Sequence, residues 1–357
     1  MYFSKLLINW YLQYKRDLPW RKTDDPYLIW LSEIMLQQTR VAQGLPYYES
    51  FVSAFPTVFD LANASEEQVL KLWQGLGYYS RARNLHYTAK YVATELNGIF
   101  PDSYAALLKL KGVGDYTAAA IASFSFGEAV PVVDGNVFRV LSRVFEIDTD
   151  ISNANAKKEF QELALHLMTE DANNNDKTNN ANPALFNQAI MEFGAMQCVP
   201  KNPNCKVCIF NEKCLALKKN KVSELPVKSK KIKVTNRFLN YVIFEDKRQN
   251  THVQQRSAKG IWHNLYEFPL IETNGDVSVE EIIQFSTEKF GKTYSILSVQ
   301  SLHALPIRHK LTHQNLSIQF WKVKIDDVLS AGMPISEIKK FPFPIVIFNF
   351  IENHLLQ

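Results

Sequence analysis

Four cysteines close together constrain what this chain can fold into more than any other feature of its sequence. Cys198, Cys205, Cys208 and Cys214 are the only cysteines in 357 residues, and their spacing is C-x6-C-x2-C-x5-C. The stretch around the first gap, MQCVPKNPNC, contains two prolines and no hydrophobic periodicity. Four thiolates at short, unequal spacing suit a folded loop that wraps one metal centre, because together they complete a coordination shell.

The spacing leaves two kinds of centre open, a zinc ion and an iron–sulfur cluster. Zinc sites usually present two close cysteine pairs, and the gap between Cys198 and Cys205 is too long for the first pair, which favours a cluster. A disulfide scaffold is disfavoured. Such scaffolds are short secreted chains with dispersed cysteines, whereas this chain is long and otherwise free of cysteine.

Length and composition indicate a globular protein of two domains. A chain of 357 residues with 46% hydrophobic residues can bury a core in each of two domains. The formal charge of +4 is too small to indicate a nucleic-acid partner by itself. No apolar run is long enough to span a bilayer, and the N-terminus is typical of an amphipathic helix ending at Pro19 rather than of a signal peptide. Because the metal centre needs reduced thiols, we expect the cytoplasm.

The hydrophobic period changes at about residue 220. Before that point apolar residues recur every three or four positions, which predicts helices, and the Asn-rich stretch 171–183 predicts a solvated loop. Residues 218–233 are basic and interrupted by proline, which predicts a linker. Beyond it, the segments 238–246 and 316–325 predict strands, with a helix over 279–290 between them.

A glycine-containing turn, KGVGDY, lies between two helical segments. Gly112 and Gly114 permit a tight hairpin with outward-pointing N–H groups, and the helix predicted over Tyr116–Phe126 adds the positive end of its dipole. The pattern predicts a site for one backbone phosphate, although a tight turn without a ligand uses the same glycines. Twenty residues past Gly114, Asp134 stands in a VVDG turn before a helix that begins near Asn136.

A helix–GVG–helix unit followed by an aspartate-bearing turn resembles the helix-hairpin-helix DNA glycosylase superfamily. The cysteine pattern resembles the iron–sulfur loop of its endonuclease III and MutY branches. The motifs LPWR, WLSEIMLQQTRV, GLGYYSRARNLH, VVDGNVFRVLSR and FNQAIMEFGAMQC resemble the MutY branch, the adenine DNA glycosylases. The resemblance covers nearly the whole chain and implies a [4Fe–4S] cluster as cofactor. It also implies a mainly α N-terminal helix-hairpin-helix glycosylase domain over 1–217 with the cluster loop at 198–214, a basic linker over 218–233, and an α+β Nudix-like domain over 234–357.

The resemblance implies an enzyme that flips and excises adenine mispaired with 8-oxoguanine or guanine and leaves an abasic site. Adenine is a poor leaving group, so an acid must protonate it while a carboxylate stabilises the cationic sugar. The family motifs assign the acid, acting at adenine N7, to Glu33, which by composition alone would be a surface glutamate. They assign stabilisation of the sugar to Asp134, oriented by Asn136. Asp134 also suits a helix N-cap, where the helix dipole favours its charged form.

Tyr116 stands where endonuclease III-like relatives carry the lysine that forms a Schiff base. A phenol cannot form an imine, so the resemblance implies a monofunctional glycosylase without lyase activity, with Tyr116 hydrogen-bonded near Glu33. The motifs also place Arg16, Leu18, Trp20 and Arg21 near the adenine pocket, although a core position suits Trp20 equally. Gln188 replaces a glutamate of some relatives. Gln38 and Tyr78 match the wedge that extrudes the base, with ordinary helix packing as the alternative, and Thr39 is expected as a DNA contact. Arg81 and Arg83 are expected either at phosphates or as solvated side chains.

The segment GIWHNLYEFP (260–269) resembles the Nudix-like domain of the same family. A Nudix hydrolase holds magnesium on a glutamate-rich helix that VSVEEIIQFSTEKFG does not match, so this domain is expected to bind without hydrolysing. Its 8-oxoguanine-reading loop is expected at 309–313, where Leu311 and Thr312 replace the usual Phe and Ser and His313 is retained. Thr312 keeps a hydroxyl that can bond the edge of the lesion.

The expected partner is double-stranded DNA with an 8-oxoguanine:A or G:A mispair. We expect a monomer in a bacterial-type, nucleoid-associated cytoplasmic setting, without a membrane partner, and a sliding clamp is left open as a further partner. The sequence opposes three other functions. An endonuclease III-like lyase is opposed by Tyr116 and by the appended sheet domain, a non-catalytic DNA-binding protein by the pairing of Glu33 with Asp134, and a nucleotide-pool hydrolase by the missing Nudix helix.

Overall fold

The computed structural model describes residues 3–169, 182–229, 233–290 and 293–356. The chain forms two compact units. The first is Met1–Asn63 with Asn84–Lys230, and the second is Ala64–Arg83 with Lys231–Gln357. The loop predicted for 171–183 lies outside the described residues apart from Asn182 and Pro183, which cap and begin a helix.

The part of the chain up to residue 218 is helical, as the sequence predicts. Its helices are α1 (Phe3–Tyr14), α2 (Pro26–Leu36), α3 (Val41–Ala54), α4 (Val58–Asn63), α5 (Glu66–Leu72), α6 (Ser80–Glu95), α7 (Tyr104–Leu107), α8 (Asp115–Phe126), α9 (Gly135–Phe145), α10 (Ala154–Thr169), α11 (Pro183–Met196) and α12 (Leu215–Lys218). Short 3-10 turns lie at Pro19–Arg21 and Cys205–Val207.

Helix α1 ends at Tyr14, so the prediction that it runs to Pro19 is wrong. The backbone N–H of Arg16 donates to the carboxylate of Glu192 on α11 at 3.0 Å. Leu18, which precedes Pro19, is extended, as a residue before proline prefers. A bond to a residue far along the chain thus stops the helix one turn before proline would.

Helix α2 is buried because its sequence is apolar on nearly every face. Pro26 occupies the first turn, and the side chain of Asp25 accepts from the backbone N–H of Tyr27 at 2.8 Å, so the helix has a defined start. Trp30, Leu31 and Met35 are each at most 1% exposed. A polar side chain on this helix is therefore placed in the interior of the unit.

A buried amide fixes the segment that leads into the Asp134 turn. The side chain of Asn187 on α11 accepts from the backbone N–H of Val132 at 3.0 Å and donates to the carbonyl of Val130 at 2.9 Å and to the hydroxyl of Ser123 at 3.0 Å. Asn187 is fully buried, and these bonds satisfy its amide. The segment is thereby tied to α8 and α11 immediately before it reaches Asp134.

One hydrophobic cluster of the first unit lies among α1, α9, α10 and α11. Phe3 stacks on Phe210 with ring centroids 4.7 Å apart, and Phe193 meets the same ring edge-on at 5.3 Å. Cys214 belongs to this hydrophobic cluster. The cysteine segment is therefore packed on the helical unit through apolar side chains.

The second unit is built on a mixed sheet. Its described strands are β1 (Thr235–Glu245), β2 (Asn250–Thr251), β3 (Gln254–Gln255), β4 (Tyr266–Glu267), β5 (Leu270–Thr273), β6 (Ile296–Ser301), β7 (Ile307–Lys310), β8 (Gln314–Ile325) and β9 (Met333–Pro334). The main sheet has the order β5-β1-β8-β6, with β7 also paired to β8, and β1 and β8 run parallel. Helices α13 (Val279–Phe290) and α14 (Ile345–His354) complete the unit, and α13 matches its prediction.

Side-chain bonds hold the segment Ala64–Arg83 within the second unit. On α5, Glu67 accepts from the hydroxyl of Tyr266 at 3.0 Å, and Lys71 donates to the carbonyl of Lys339 at 2.6 Å. After the helix, Gln74 donates to the carbonyl of Phe343 at 2.9 Å. The sequence did not indicate this placement, because α5 has the same helical periodicity as its neighbours.

No helix among the described residues has the length and apolar character needed to cross a membrane.

Candidate functional site

The first unit contains a buried carboxyl group on α2. Glu33 on α2 is 5% exposed, so the reading as a surface glutamate is wrong. The hydroxyl of Tyr116 on α8 donates to Glu33 Oε2 at 2.6 Å, which is the hydrogen bond expected from the sequence. Burial raises the pKa of Glu33 to about 7, Asp134 adds to the rise, and Tyr116 and Arg21 oppose it. Glu33 can therefore give up and regain a proton near neutral pH.

Asp134 caps α9 and is within electrostatic reach of Glu33. Its Oδ1 accepts from the backbone N–H groups of Asn136 and Val137, each at 2.8 Å, and its Oδ2 accepts from Asn136 Nδ2 at 2.7 Å. All of these bonds are donated to the carboxyl group, as an ionised carboxylate requires. Burial nevertheless raises the pKa of Asp134, which the helix terminus alone did not predict, while these donors and Arg139 oppose the rise.

Asn136 is held in turn by the next turn of α9. Arg139 Nη2 donates to Asn136 Oδ1 at 2.8 Å and to the carbonyl of Gly194 at 2.6 Å. A side chain at position 194 would meet Asn136, because an added Cβ would lie 2.6 Å from Asn136 Cβ. The side chain of Asn136, which orients Asp134, is therefore bonded by Arg139 and closely packed against Gly194.

Arg16 and Arg21 share one carboxylate, that of Glu192. Arg16 bonds it through Nε at 2.8 Å and Nη2 at 2.6 Å, and Arg21 through Nη1 at 3.0 Å and Nη2 at 2.6 Å. The Glu192 side chain is 1% exposed. Sequence reasoning missed this residue, although it lies within the FNQAIMEFG motif.

The other residues expected near the base pocket are also in the first unit. Leu18 and Trp20 are buried, and the Trp20 ring meets Tyr48 edge-on at 5.1 Å. Gln188 accepts from the hydroxyl of Tyr11 at 2.7 Å through its Oε1. These contacts show the packing of each side chain, and none of them identifies a bound base.

Both residues expected at the wedge that extrudes the base have a left-handed backbone. Gln38 has φ 56° and Tyr78 has φ 47°, and both side chains are exposed. Such a conformation costs of order 1 kcal/mol for a residue with a side chain and is retained where the surroundings enforce it. Thr39, next to Gln38, donates to the carbonyl of Gln37 at 3.3 Å. The strain is consistent with side chains presented to a ligand.

Tyr78 belongs to the second unit and contacts the loop expected to read the lesion. Its hydroxyl and that of Thr312 are 2.5 Å apart, and either can be the donor. Thr312 and His313 are exposed, while His309 lies beside Trp262 with ring centroids 6.2 Å apart. Burial lowers the pKa of His309. Residues 234 apart in sequence therefore form one small surface.

The glycine hairpin is present. Gly112 has φ 81°, and a Cβ there would lie 2.7 Å from Asn84 Cβ, so glycine is required. Gly114 is the residue before α8, which begins at Asp115. The N–H of Val113 donates to the carbonyl of Leu110 at 3.1 Å, so this amide is not one of the predicted outward-pointing donors.

The guanidinium groups of Arg81 and Arg83 are engaged within the second unit. Arg81 lies over the rings of Trp73 and Tyr78, and burial lowers its pKa to about 10. Arg83 donates to the carbonyl of His263 at 2.8 Å. Neither residue is the solvated arginine that one reading of the sequence allowed, and both help to hold the Tyr78 segment.

The four cysteines line one cavity with Arg143, Phe193 and Phe210. None of these cysteines, all within the described residues, forms a disulfide. N–H groups point at two sulfurs, from Arg143 Nη1 to Cys198 at 3.5 Å and from the Phe210 backbone to Cys208 at 3.4 Å. Among the described residues no group of three His, Cys, Asp or Glu side chains is placed to hold a single metal ion. An all-thiol donor set with N–H···S bonds fits an iron–sulfur cluster.

Two family models match the chain. The HhH-GPD superfamily of base excision DNA repair proteins matches residues 31–165, and the NUDIX domain matches residues 240–353. The fold class predicted from the sequence, a helix-hairpin-helix glycosylase domain followed by an α+β Nudix-like domain, is confirmed.

Relatives extend the match over most of the chain. An adenine DNA glycosylase of Buchnera aphidicola subsp. Schizaphis graminum is 35% identical, over 88% of this chain and 86% of its own. The human adenine DNA glycosylase is 45% identical, over 60% of this chain and 39% of its own.

Solved structures share the helical fold. A thermostable thymine-DNA glycosylase superposes with a TM-score of 0.53 at 30% identity, over 61% of this chain and 95% of its own. An endonuclease III in a non-covalent DNA complex gives 0.51 at 20% identity over the same shares.

Proposed function

The chain belongs to the adenine DNA glycosylase family, hydrolytic N-glycosylases of base excision repair, and on this premise we propose that it excises adenine mispaired with 8-oxoguanine or guanine. In this proposal it leaves an abasic site and does not cut the strand. The observation that carries the proposal is Glu33, buried, bonded to Tyr116 and titrating near neutral pH beside Asp134.

Glu33 is the acid in the proposed reaction. Its carboxyl proton goes to adenine N7, the glycosidic bond breaks with its electron pair moving to the base, and the sugar becomes an oxocarbenium ion. With a pKa of about 7, the group is both protonated and a competent donor at neutral pH. Water then adds to the sugar, and its proton returns to the Glu33 carboxylate.

Asp134 stabilises the cationic sugar in this reaction. Its carboxylate is fixed by donors from Asn136 and Val137, so it needs little reorganisation when positive charge develops. The negative charge also favours the protonated form of Glu33. Asp134 therefore assists both the breaking of the glycosidic bond and the protonation of Glu33 that precedes it.

The absence of lyase activity is proposed from the residue at position 116. The phenol of Tyr116 cannot form an imine with the abasic sugar, and its hydroxyl is already directed at Glu33. Hydrolysis through water is then the remaining route to product.

Recognition of the mispair is proposed to use both units. In the first, Gln38 enters the base stack and the Gly112–Gly114 hairpin receives a phosphate. In the second, Tyr78 stacks beside the lesion while the 309–313 loop reads its edge. Because one hydroxyl of the Tyr78–Thr312 pair donates to the other, the pair retains a donor for 8-oxoguanine.

We also propose that Cys198, Cys205, Cys208 and Cys214 hold a [4Fe–4S] cluster. When bound, the cluster would supply iron–thiolate bonds that tie the 198–214 loop together. Arg143 and the Phe210 N–H donate to the cysteine sulfurs of Cys198 and Cys208. The corresponding domain division is catalysis in 1–217, a linker in 218–233 and lesion recognition in 234–357. This division differs from the two compact units in one respect, because Ala64–Arg83 groups with the second unit.

Single-turnover base release tests the proposal. The full chain is incubated with duplexes containing 8-oxoguanine:A, G:A, thymine glycol or no lesion, with Glu33→Gln as the matched isosteric control. We expect adenine release from the first two duplexes, and from neither with the variant, which should still bind DNA. Release of thymine glycol with strand cleavage, or substantial adenine release by Glu33→Gln, would contradict the assignment.

A further inference from the structure

The glycine hairpin is held against helix α6 by side chains of that helix. The hydroxyl of Thr88, which is fully buried, donates to the carbonyl of Lys111 at 2.7 Å. Asn84 packs against Gly112, where an added Cβ would lie 2.7 Å from Asn84 Cβ. The ring centroid of Tyr87 lies 4.0 Å from Lys111 Nζ. Helix α6 therefore fixes both the backbone of the hairpin and the ammonium group of the lysine that precedes it.

The hairpin offers backbone donors to an anion. Among the residues that the structure describes, the N–H groups of Gly112 and Gly114 donate to no backbone carbonyl. Asp115, which follows them, would repel an anion, but its carboxylate accepts from Lys157 Nζ at 2.5 Å and from the Tyr104 hydroxyl at 3.0 Å. An anion at the hairpin therefore meets free N–H groups beside a carboxylate whose charge is already compensated.

Lys111 adds a side-chain cation to these donors. Its side chain is exposed, and the Tyr87 ring is 54% exposed. An ammonium group held over a ring face keeps its charge and loses part of its rotamer freedom before any ligand arrives. A lysine that binds a phosphate otherwise gives up that freedom on binding. The Tyr87 ring therefore lowers the entropic cost of a phosphate contact by Lys111.

We propose that Lys111 and Tyr87 form a second phosphate site beside the hairpin, in which the ring holds the ammonium group in place for the DNA backbone. The inference rests on the proposed function and extends its DNA contact from the hairpin amides to a side-chain cation. Lys111 contacts the phosphate next to the one at the hairpin, and Tyr87 is a positioning residue that acts through Lys111. The contact is independent of base sequence and of the lesion, because a phosphate carries no sequence information.

The first test is the salt dependence of duplex binding by the full chain, measured by fluorescence anisotropy between about 50 and 200 mM salt. For Lys111→Gln we expect weaker binding to damaged and undamaged duplexes alike. The slope of log affinity against log salt should become less steep by about 0.9, the value for one phosphate contact. Lys247→Gln is the control, since it removes a lysine of the second unit that is 57% exposed, and its slope should equal that of the wild type. An unchanged slope in Lys111→Gln would overturn the proposal.

The second test separates the ring from the charge. Tyr87→Leu removes the ring and keeps the cation, so binding should weaken by about two- to fivefold while the salt slope stays that of the wild type. Tyr87→Phe keeps the ring and should keep the affinity. In the Lys111→Gln background, Tyr87→Leu should cause no further loss, because its effect passes through the ammonium group. Equal losses in both backgrounds, or the same loss in Tyr87→Phe, would refute the positioning role.

Binding and base release are measured separately, which distinguishes this inference from the proposed function. Single-turnover adenine release by the wild type tests the proposed function. If the wild type binds duplex DNA and releases no adenine, the proposed function fails, and the salt slopes still decide whether Lys111 contacts a phosphate. Urea unfolding followed by circular dichroism verifies that each variant is folded under the binding conditions.

Discussion

Replacing Glu33 with glutamine should remove activity and stabilise the fold, by an amount that depends on pH. The pKa of Glu33 is about 7 in the folded protein, against an ordinary value of 4.5. Between these values the folded state binds the proton more tightly than the unfolded state, so the stability of the wild type falls as pH rises through this window. A neutral amide of the same shape can still accept from Tyr116, and it does not titrate.

The structure sets the size of the effect. Glu33 is 5% exposed, so solvent screening does not reduce the shift appreciably. A rise of the pKa from 4.5 to about 7 corresponds to about 3 kcal/mol at pH 8.5 and about 1 kcal/mol at pH 5.5. The stability of Glu33→Gln relative to the wild type should therefore increase by about 2 kcal/mol between these two pH values.

Urea unfolding at several pH values measures this difference, with circular dichroism following the helical unit. Glu162→Gln is the control, since it removes a carboxyl whose side chain is 68% exposed on α10 and should show a small difference at every pH. If the relative stability of Glu33→Gln were the same at pH 5.5 and 8.5, burial would not be what raises the pKa of Glu33. The argument for a general acid at this position would then fail.

Three further predictions concern the cysteines, the hairpin and the lesion loop. Cys208→Ser should lose bound iron and sulfide, measured by elemental analysis and visible absorption, whereas a zinc site would show zinc and no colour. Gly112→Ala, whose Cβ would lie 2.7 Å from Asn84, should destabilise the fold by about 1 kcal/mol or more and weaken binding of duplex DNA, measured by fluorescence anisotropy, with Gly135→Ala as the unhindered control. Thr312→Val should reduce the preference for 8-oxoguanine:A over G:A by about tenfold while Thr312→Ser retains it, and equal preferences in both variants would exclude a role for the hydroxyl.

Local sequence patterns determined the elements and the chemical inventory of this protein. The cysteine spacing, the glycine hairpin and the capping aspartate are each recognisable within a short stretch of the sequence. The switch from helical to strand periodicity near residue 220 likewise follows from the alternation of side chains along a strand. The helices α8 and α13 and the strands β1 and β8 were accordingly predictable.

Tertiary packing decided which of those residues do chemistry and under what conditions. The pKa of Glu33 depends on its burial, on Tyr116 of α8 and on the charges of Asp134 and Arg21. In an isolated α2, Glu33 would be an ordinary glutamate. Helix α1 ends early because the backbone N–H of Arg16 bonds Glu192. These two residues are 176 apart in sequence but adjacent in the fold. Helix α5 joins the second unit through bonds to residues roughly 200 positions later. Periodicity reports which face of an element is apolar, but burial and ion pairing are set by what packs against that face.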